Sequence, residues 1–144
     1  MADRGLVASV QPNFHRWAGD GGLYATRLGD RWRETNRLRK LADAGVPLSF
    51  GSDCMPLDPL VGVHHAVNAP TDDGRVSVTE ALRAYTRGAA YAGFDEGRIG
   101  TIERGKCADL VALERSPWEG EVADIDVALT VVDGEVAYDG IRSL

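Results

Sequence analysis

The chain has 144 residues, 44% of them hydrophobic, which suits one globular domain or one domain with an appendage. Its formal net charge of −6 argues against non-specific binding to nucleic acid and against attraction to anionic lipid, since both need a basic surface. No apolar run approaches the roughly 20 residues of a membrane span, and the N-terminus lacks a signal-peptide pattern. We therefore expect a cytoplasmic protein that binds neither nucleic acid nor membrane.

The first third of the chain has the pattern of a strand–helix–strand unit. Residues 6–10 form a short apolar run that Pro12 closes, which predicts a buried strand. Residues 13–33 are polar, aromatic and rich in glycine, and they predict a long loop of the kind that often binds ligands. A helix is predicted over residues 36–44 and a second strand over 46–51. A connection of this length predicts that the two strands are parallel.

The middle of the chain is predicted to be mainly helical. A proline-flanked loop begins at Leu57 and runs into a short helical stretch that ends near Ala69. Ser77 and Glu80 stand at the spacing of a capping box, in which each side chain bonds the other residue's backbone N–H. Apolar residues at helical spacing continue from there to Ala90 and predict a strong helix.

The character of the sequence changes after residue 95, where glycines separate short segments. Strands are predicted over 108–113, 128–132 and 135–138, and Asp133-Gly134 between the last two indicates a tight hairpin. This part is typical of a small antiparallel module. We therefore divide the chain into two parts, residues 1–95 and 96–144.

The segment from Pro47 to Asp53 carries the clearest chemical signal. Leu48 and Phe50 supply strand-compatible apolar bulk, Gly51 permits a sharp turn, and Asp53 stands at the tip. A lone carboxylate at the carboxyl end of a core strand is where α/β enzymes place metal ligands and proton-transfer groups. The same residue could equally cap the following turn through its side-chain oxygen. The segment alone leaves both interpretations open.

Four short motifs follow one another along the chain: Gln11-Pro12-Asn13-Phe14, Arg27-Leu28-Gly29-Asp30-Arg31, Ala44-Gly45-Val46-Pro47 and Gly51-Ser52-Asp53. In kind and order they resemble those of the amidohydrolase superfamily. They look most like its branch of metal-dependent hydrolases related to the N-substituted formamide deformylases, some relatives of which are named exoenzyme regulatory proteins. The tail segment at 99–111 resembles the strand–turn–strand that closes those proteins.

The resemblance implies an α/β fold that comprises the last two β/α units of a TIM barrel and the C-terminal part of a small antiparallel β-sandwich. Complete members hold a divalent metal, for which zinc is the first expectation, with a His-x-His pair, a carboxylated lysine or an acidic residue, and two later histidines. This chain has only His15, His64 and His65, none in that pattern. It therefore resembles a C-terminal fragment, in which we expect no bound metal.

The resemblance also assigns roles to four residues. Asp53 corresponds to the aspartate of the final barrel strand, which binds metal and shuttles a proton, and it is the predicted catalytic and metal-binding residue. Gln11, at the end of the other strand, is a predicted substrate-binding residue or simply a polar strand end. Arg31 could clamp a substrate carbonyl or carboxylate, or it could be an ordinary surface arginine. His15 is the third substrate-binding candidate, with a plain loop histidine as its alternative.

Other reactive side chains are better explained by packing. His64 and His65 are adjacent and would point about 100° apart on a helix, which makes them poor joint ligands. Cys54 follows Asp53, but no neighbouring base indicates a nucleophile. Lys106 and Asp109 belong to the tail motif, and structural roles explain both.

The sequence thus predicts a metal-dependent hydrolase of carbon–nitrogen bonds other than peptide bonds, acting on a small amide-type substrate in a longer parent protein. The isolated chain is expected to be inactive. The alternative is a non-catalytic regulatory or binding module that reuses the same fold. Two barrel strands without their neighbours would expose edges, so we also expect self-association through them.

Overall fold

Two short parallel strands form the first sheet of the molecule. The computed structural model describes residues 1–53 and 56–140. β1 (Ala8–Val10) and β2 (Leu48–Phe50) pair in parallel, residue for residue along all three positions. This confirms the predicted parallel pair, although each strand is shorter than its apolar run.

Helical turns occupy most of the connection between these strands. A 3-10 helix (Ala2–Arg4) precedes β1, and the connection contains four helical segments: a 3-10 helix (Pro12–Trp17), α1 (Leu23–Leu28), a 3-10 helix (Gly29–Glu34) and α2 (Leu38–Asp43). The predicted helix at 36–44 is confirmed, whereas the prediction of a loop over 13–33 is wrong. The segment is held by buried side chains of Asn13, His15 and Trp32. Turns this short carry no helical periodicity in the sequence.

The predicted strong helix is confirmed at its start and interrupted later. α3 (Pro59–Val67) and a 3-10 helix (Asp72–Gly74) precede it, and it consists of α4 (Val78–Arg83), a π-helical turn (Ala84–Gly88) and α5 (Ala89–Ala92). Both hydrogen bonds of the capping box are present, since the side chain of Ser77 accepts from the backbone N–H of Glu80 and the carboxylate of Glu80 accepts from Ser77 N.

Close contact with β2 accompanies the π turn. A Cβ placed on Gly88 would lie 2.0 Å from the carbonyl oxygen of Leu48. Only glycine lets the helix backbone approach the strand this closely. The helix therefore rests directly on β2 at this point.

The tail forms the predicted antiparallel module. Its three strands pair in the order β3–β4–β5: β3 (Leu110–Leu113), β4 (Val127–Val132) and β5 (Glu135–Asp139). A 3-10 helix (Val122–Asp124) lies between β3 and β4 along the chain. Asp133 and Gly134 between the last two have φ of 50° and 83°, as a type I′ hairpin requires. Asp109 has the structural role expected of it, because its carboxylate accepts a hydrogen bond from Asp133 N at 2.7 Å.

The main core lies where β2 meets the helices on either side of it. Its buried members are Leu38, Phe50, Val63, Ala66, Val76, Ala81, Ala84 and Val122. Val122 comes from the tail, and Trp118 in the tail donates a hydrogen bond to Thr79 of α4 at 2.9 Å. The two predicted parts thus share one core, and their division at residue 95 stays a prediction. Within the described ranges, every helix is too short or too polar to cross a membrane.

Candidate functional site

The carboxyl ends of β1 and β2 meet at one edge of the parallel sheet. Gly51 N donates a hydrogen bond to the carbonyl of Val10 at 3.1 Å, so the pairing continues one step beyond both strands. Gln11, half-buried, follows Val10 directly, and Asp53 stands two residues beyond Gly51. The predicted proximity of Gln11 and the Asp53 turn at one sheet edge therefore follows from the observed register. We call this region the strand-end rim.

Asp53 is exposed at the tip of the rim in a left-handed backbone conformation, with φ of 49°. Aspartate is one of the few residues that tolerate this conformation. Its carboxylate makes no hydrogen bond or ion pair with any residue of 1–53 or 56–140. A turn cap of the kind weighed from the sequence would use the backbone N–H of residue 54 or 55. Those residues, which include Cys54, lie outside the described ranges, so the capping alternative stays a prediction.

A buried polar contact joins the two loops of the rim. Asn13 is fully buried, and its Nδ2 donates to the carbonyl of Pro56 at 3.1 Å. Asn13 follows β1 and Pro56 follows the Asp53 turn. This hydrogen bond therefore fixes the segment beyond Asp53 against the start of the 3-10 helix Pro12–Trp17. Removing a buried partner of this kind costs about 1–3 kcal/mol.

Tyr85, from the π turn, reaches the same place. A Cβ placed on Gly62 of α3 would lie 1.7 Å from the Tyr85 hydroxyl and 2.8 Å from Asn13 Oδ1. The absence of a side chain at Gly62 thus creates the space in which the phenol lies. Burial raises the pKa of Tyr85, as does the nearby Asp58, while the neighbouring Ser52 side chain works in the opposite direction. The ring also packs edge-on against Phe50, with 5.5 Å between ring centroids.

Sequence reasoning missed Asn13, Gly62 and Tyr85 as parts of the rim. Asn13 lies inside a quoted motif, but nothing in the sequence indicates that its side chain is buried. Tyr85 has the spacing of an ordinary apolar helix face. Gly62 within a helix, where glycine is unfavourable, was the available signal of a close contact.

His15 lies beneath the surface behind the rim. The residue is only 5% exposed, and its ring lies next to Gly74. Burial, with a smaller contribution from nearby His65, lowers the pKa of His15 to about 4. Its Nε2 has no hydrogen-bond partner among the described residues. As placed, the imidazole is neutral at pH 7 and does not face solvent, so its predicted role in substrate binding would require local opening.

The other two histidines have partners of their own. His64 Nδ1 lies 3.0 Å from the Glu121 carboxylate and 3.2 Å from the side chain of Asn68. The rings of His64 and His65 contact each other edge to face at 5.4 Å. Burial, then the neighbouring His64 and Arg16, lower the pKa of His65.

Arg31 lies in the 3-10 helix Gly29–Glu34 and is exposed. Within the described part of the chain, its guanidinium makes no hydrogen bond or ion pair, including to Asp53, Gln11 or His15. The neighbouring Arg33 is engaged differently, stacked over the buried ring of Trp32 at 4.6 Å and paired with Asp20 at 2.7 Å. The structure thus brings Gln11 and Asp53 to one edge and leaves Arg31 free of both.

A metal site requires a set of donor side chains close together. Zinc in catalytic sites takes three protein ligands and a water molecule. Across residues 1–53 and 56–140 no group of three or more histidine, cysteine or acidic side chains is close enough to hold a metal ion. Asp53 alone supplies one carboxylate at the rim. The residues described here therefore do not fit a complete zinc site.

Comparison with known proteins shows that this chain matches one protein family. The amidohydrolase family matches residues 1–138. The N-substituted formamide deformylase of Arthrobacter pascens is 35% identical over 96% of this chain and 28% of its own length. The protein LONG AFTER FAR-RED 3 of Arabidopsis thaliana is 31% identical over 92% of this chain and 25% of its own length.

A solved structure gives the same result. An uncharacterised metal-dependent hydrolase from Pyrococcus furiosus superposes with a TM-score of 0.67 at 28% identity, over 82% of this chain and 25% of its own. The chain belongs to the amidohydrolase family, and the predicted resemblance is confirmed. It spans about a quarter of the length of these relatives.

Proposed function

We propose that this chain supplies the final strand-end carboxylate, Asp53, to a hydrolase that cleaves carbon–nitrogen bonds other than peptide bonds in a small amide-type substrate. Family membership supports hydrolysis as the reaction class, and the name of the Arthrobacter relative supports a formamide or related amide as substrate. The observation that carries the proposal is the position of Asp53. Its exposed carboxylate stands at the carboxyl end of β2, on the same edge as Gln11.

In this proposal Asp53 accepts the proton of the water molecule that attacks the substrate carbonyl. A carboxylate is suited to this task when it is ionised and can reach the water directly. Gln11 would orient the substrate from the neighbouring strand end by donating a hydrogen bond from its side-chain amide. Asn13 would hold the segment after the turn through its hydrogen bond to Pro56, with Tyr85 packed beside Asn13 in the space at Gly62.

The rest of the site would come from chain beyond these residues. A divalent metal, zinc by the family resemblance, would need ligands that the described residues do not provide. We accordingly expect the 144-residue chain alone to be inactive and to bind no stoichiometric zinc. The regulatory alternative draws on no separate observation in this structure.

The proposal is tested in a chimera. The segment of the Arthrobacter deformylase that matches this chain is replaced by residues 1–138, and hydrolysis of an N-substituted formamide is measured. We expect activity from the chimera, and a loss of kcat by roughly 100-fold or more for Asp53→Asn, because proton transfer contributes about that much. The matched control is Asp3→Asn, an exposed aspartate remote from the rim in sequence.

Two results would contradict the proposal. A folded chimera in which Asp53→Asn keeps full activity would show that this carboxylate does not take part in the reaction. Metal-dependent hydrolysis by the 144-residue chain on its own would show that the site is complete without further ligands. Circular dichroism of each variant separates loss of chemistry from loss of fold.

Self-association through the edges of β1 and β2 remains part of the proposal, because these two strands pair only with each other among the described residues. A second surface that favours contact with another apolar face lies on the β3–β4–β5 sheet, where these apolar side chains are more than half exposed: Val111, Val132, Val136 and Tyr138. Light scattering on the purified chain is expected to show a species larger than 15.5 kDa, and a strictly monomeric species would contradict this.

A further inference from the structure

A groove lies at the opposite end of β2 from the rim. One wall is the segment 45–48, which enters the strand, together with Ala42 of α2. The other wall is one face of the helix that runs from Glu80 to Tyr91, through the π turn. The cavity has a volume of about 430 Å³, which is within the range of sites for small molecules. We call it the amino-end groove.

Apolar groups form the floor and one end of the groove. Val46 and Ala84 are buried in its floor, with Leu48 beside them, and the ring of Tyr91, 44% exposed, stands at the end. An aromatic ring in this position offers a flat surface against which a ring or short chain can pack. A ligand with an apolar body therefore fits the shape and the chemistry of the floor.

Two arginines on the wall of the groove have no acidic partner. Arg83 and Arg87 both line it, four residues apart and thus on neighbouring turns of one helix. Neither guanidinium group makes an ion pair or hydrogen bond within residues 1–53 and 56–140.

The acidic residue that lines the groove, Glu80, already has other hydrogen-bond and ion-pair partners. Of the described residues that line the groove, Glu80 alone is acidic. One of its oxygens accepts from Ser77 N and Oγ at 2.8 and 2.7 Å, and the other lies 2.9 Å from Arg39. Arg39 also pairs with Asp43 at 2.9 Å. Glu80 therefore does not neutralise Arg83 and Arg87.

The wall that carries these arginines has an unusual backbone. Ala84–Gly88 forms a π turn, and Gly88 in it lies against the carbonyl of Leu48. Single π turns inside α-helices are rare and occur frequently at functional sites. The turn widens the helix where Arg87 and Ala84 line the cavity. Shape, charge and backbone thus converge on one place.

From these observations we infer that the amino-end groove binds a small carboxylate with an apolar body, such as an aryl or short alkyl acid. The carboxylate would accept hydrogen bonds from Arg83 and Arg87, whose planar guanidinium groups suit two-point contacts. The apolar body would lie over Val46 and Leu48 toward Tyr91. The site is separate from the rim, and its occupation does not depend on the proposed hydrolase activity.

Nuclear magnetic resonance on the isotope-labelled 144-residue chain tests this directly. The probe is 3-phenylpropionate, and its matched control is the neutral amide 3-phenylpropanamide, which has nearly the same shape. We expect the acid to shift the amide signals of residues 45–48 and 83–91, with saturation below about 10 mM. The amide should bind more weakly by roughly fivefold or more, because it lacks the charge that the arginines recognise.

Variants test the role of the arginines. The double variant Arg83→Gln/Arg87→Gln should weaken binding of the acid by roughly fivefold or more and leave binding of the amide unchanged. Arg104→Gln removes an exposed arginine outside the groove and should change neither. If the double variant does not fold, each single variant is titrated, and the acid–amide comparison on the unaltered chain still decides the question.

Outcomes of three kinds overturn the inference. The first is equal binding of acid and amide. The second is unchanged affinity for the acid after removal of both arginines, or signals that shift only outside the groove. The third is a dimer, seen by sedimentation velocity, that the double variant abolishes, because a second copy of the chain would then be the occupant. If the acid shifts no amide signal up to about 10 mM, the inference is overturned in the same way as by equal binding of acid and amide.

Discussion

Acidification should destabilise this protein through His15. The residue is 5% exposed and its pKa lies at about 4, against 6.5 for a histidine in the unfolded chain. The folded state therefore binds fewer protons than the unfolded state between these two values. Stability rises with pH wherever the unfolded state binds more protons. The contribution of His15 to the free energy of unfolding is thus fully present above the pKa of the unfolded state and fully lost below the pKa of the folded state.

The size of the effect follows from the separation of the two pKa values. Each pKa unit corresponds to about 1.4 kcal/mol, so a shift from 6.5 to about 4 amounts to about 3 kcal/mol. Most of this, about 2.5 kcal/mol, should be lost between pH 7.5 and 4.5. That is a large fraction of the stability of an ordinary domain. The lowered pKa of His65 adds to the loss in the same direction.

Urea unfolding followed by tryptophan fluorescence measures the effect at each pH. His15→Leu replaces the imidazole with an apolar side chain that cannot titrate. The free energy of unfolding of this variant should fall with acidification by about 2.5 kcal/mol less than that of the unaltered chain. Phe14→Leu, in the same 3-10 helix, is the matched control and should keep the full dependence.

The comparison of slopes can refute the reasoning. If the unaltered chain and His15→Leu lose the same free energy between pH 7.5 and 4.5, His15 is not held neutral by burial. The common loss would then come from other groups. A difference of slope confined to values above pH 7.5 would contradict the prediction as well, because it would place the titration outside the stated window.

Two further predictions concern packing and capping. Gly88→Ala should destabilise the fold by about 1–3 kcal/mol or more, because the new methyl group would clash with the carbonyl oxygen of Leu48. The control, Gly97→Ala, should be nearly neutral because there is open space around Gly97. Equal thermal midpoints for the two variants would contradict this prediction. Ser77→Ala should cost about 1 kcal/mol in urea unfolding through loss of the capping box with Glu80, and an unchanged denaturation midpoint would show that the cap is not needed.

The sequence predicted those elements whose pattern is local and repeated. Three features could be predicted from the sequence, because each depends on turn chemistry or on apolar periodicity: the capping box, the Asp133-Gly134 hairpin and the parallel pair of strands. The helical turns at 13–33 could not be predicted from the sequence, because single buried side chains such as that of Trp32 hold them in place. Tertiary contact decided the structure there.

The candidate site divides in the same way. Asp53 and Gln11 were predicted at one edge because the strand–helix–strand order predicts parallel strands, whose carboxyl ends meet at the same edge, and the observed pairing is parallel. The contacts beneath them depend on which side chains meet across the core, as with Tyr85 at Gly62. No spacing in the sequence encodes a meeting between residues so far apart. The depth of His15 was missed for the same reason.

The π turn links the two ends of β2. Tyr85 from this turn fills the space at Gly62, behind the rim, and Gly88 from the same turn rests on the carbonyl of Leu48, beside the amino-end groove. β2 has only three residues, or about 10 Å, so one helix can contact both of its ends. A change at Gly88 must move the helix away from the strand, and Tyr85 would move with it. We therefore expect Gly88→Ala to shift amide signals at both the rim and the groove, whereas Ser77→Ala, at the start of α4, should shift those near its own turn.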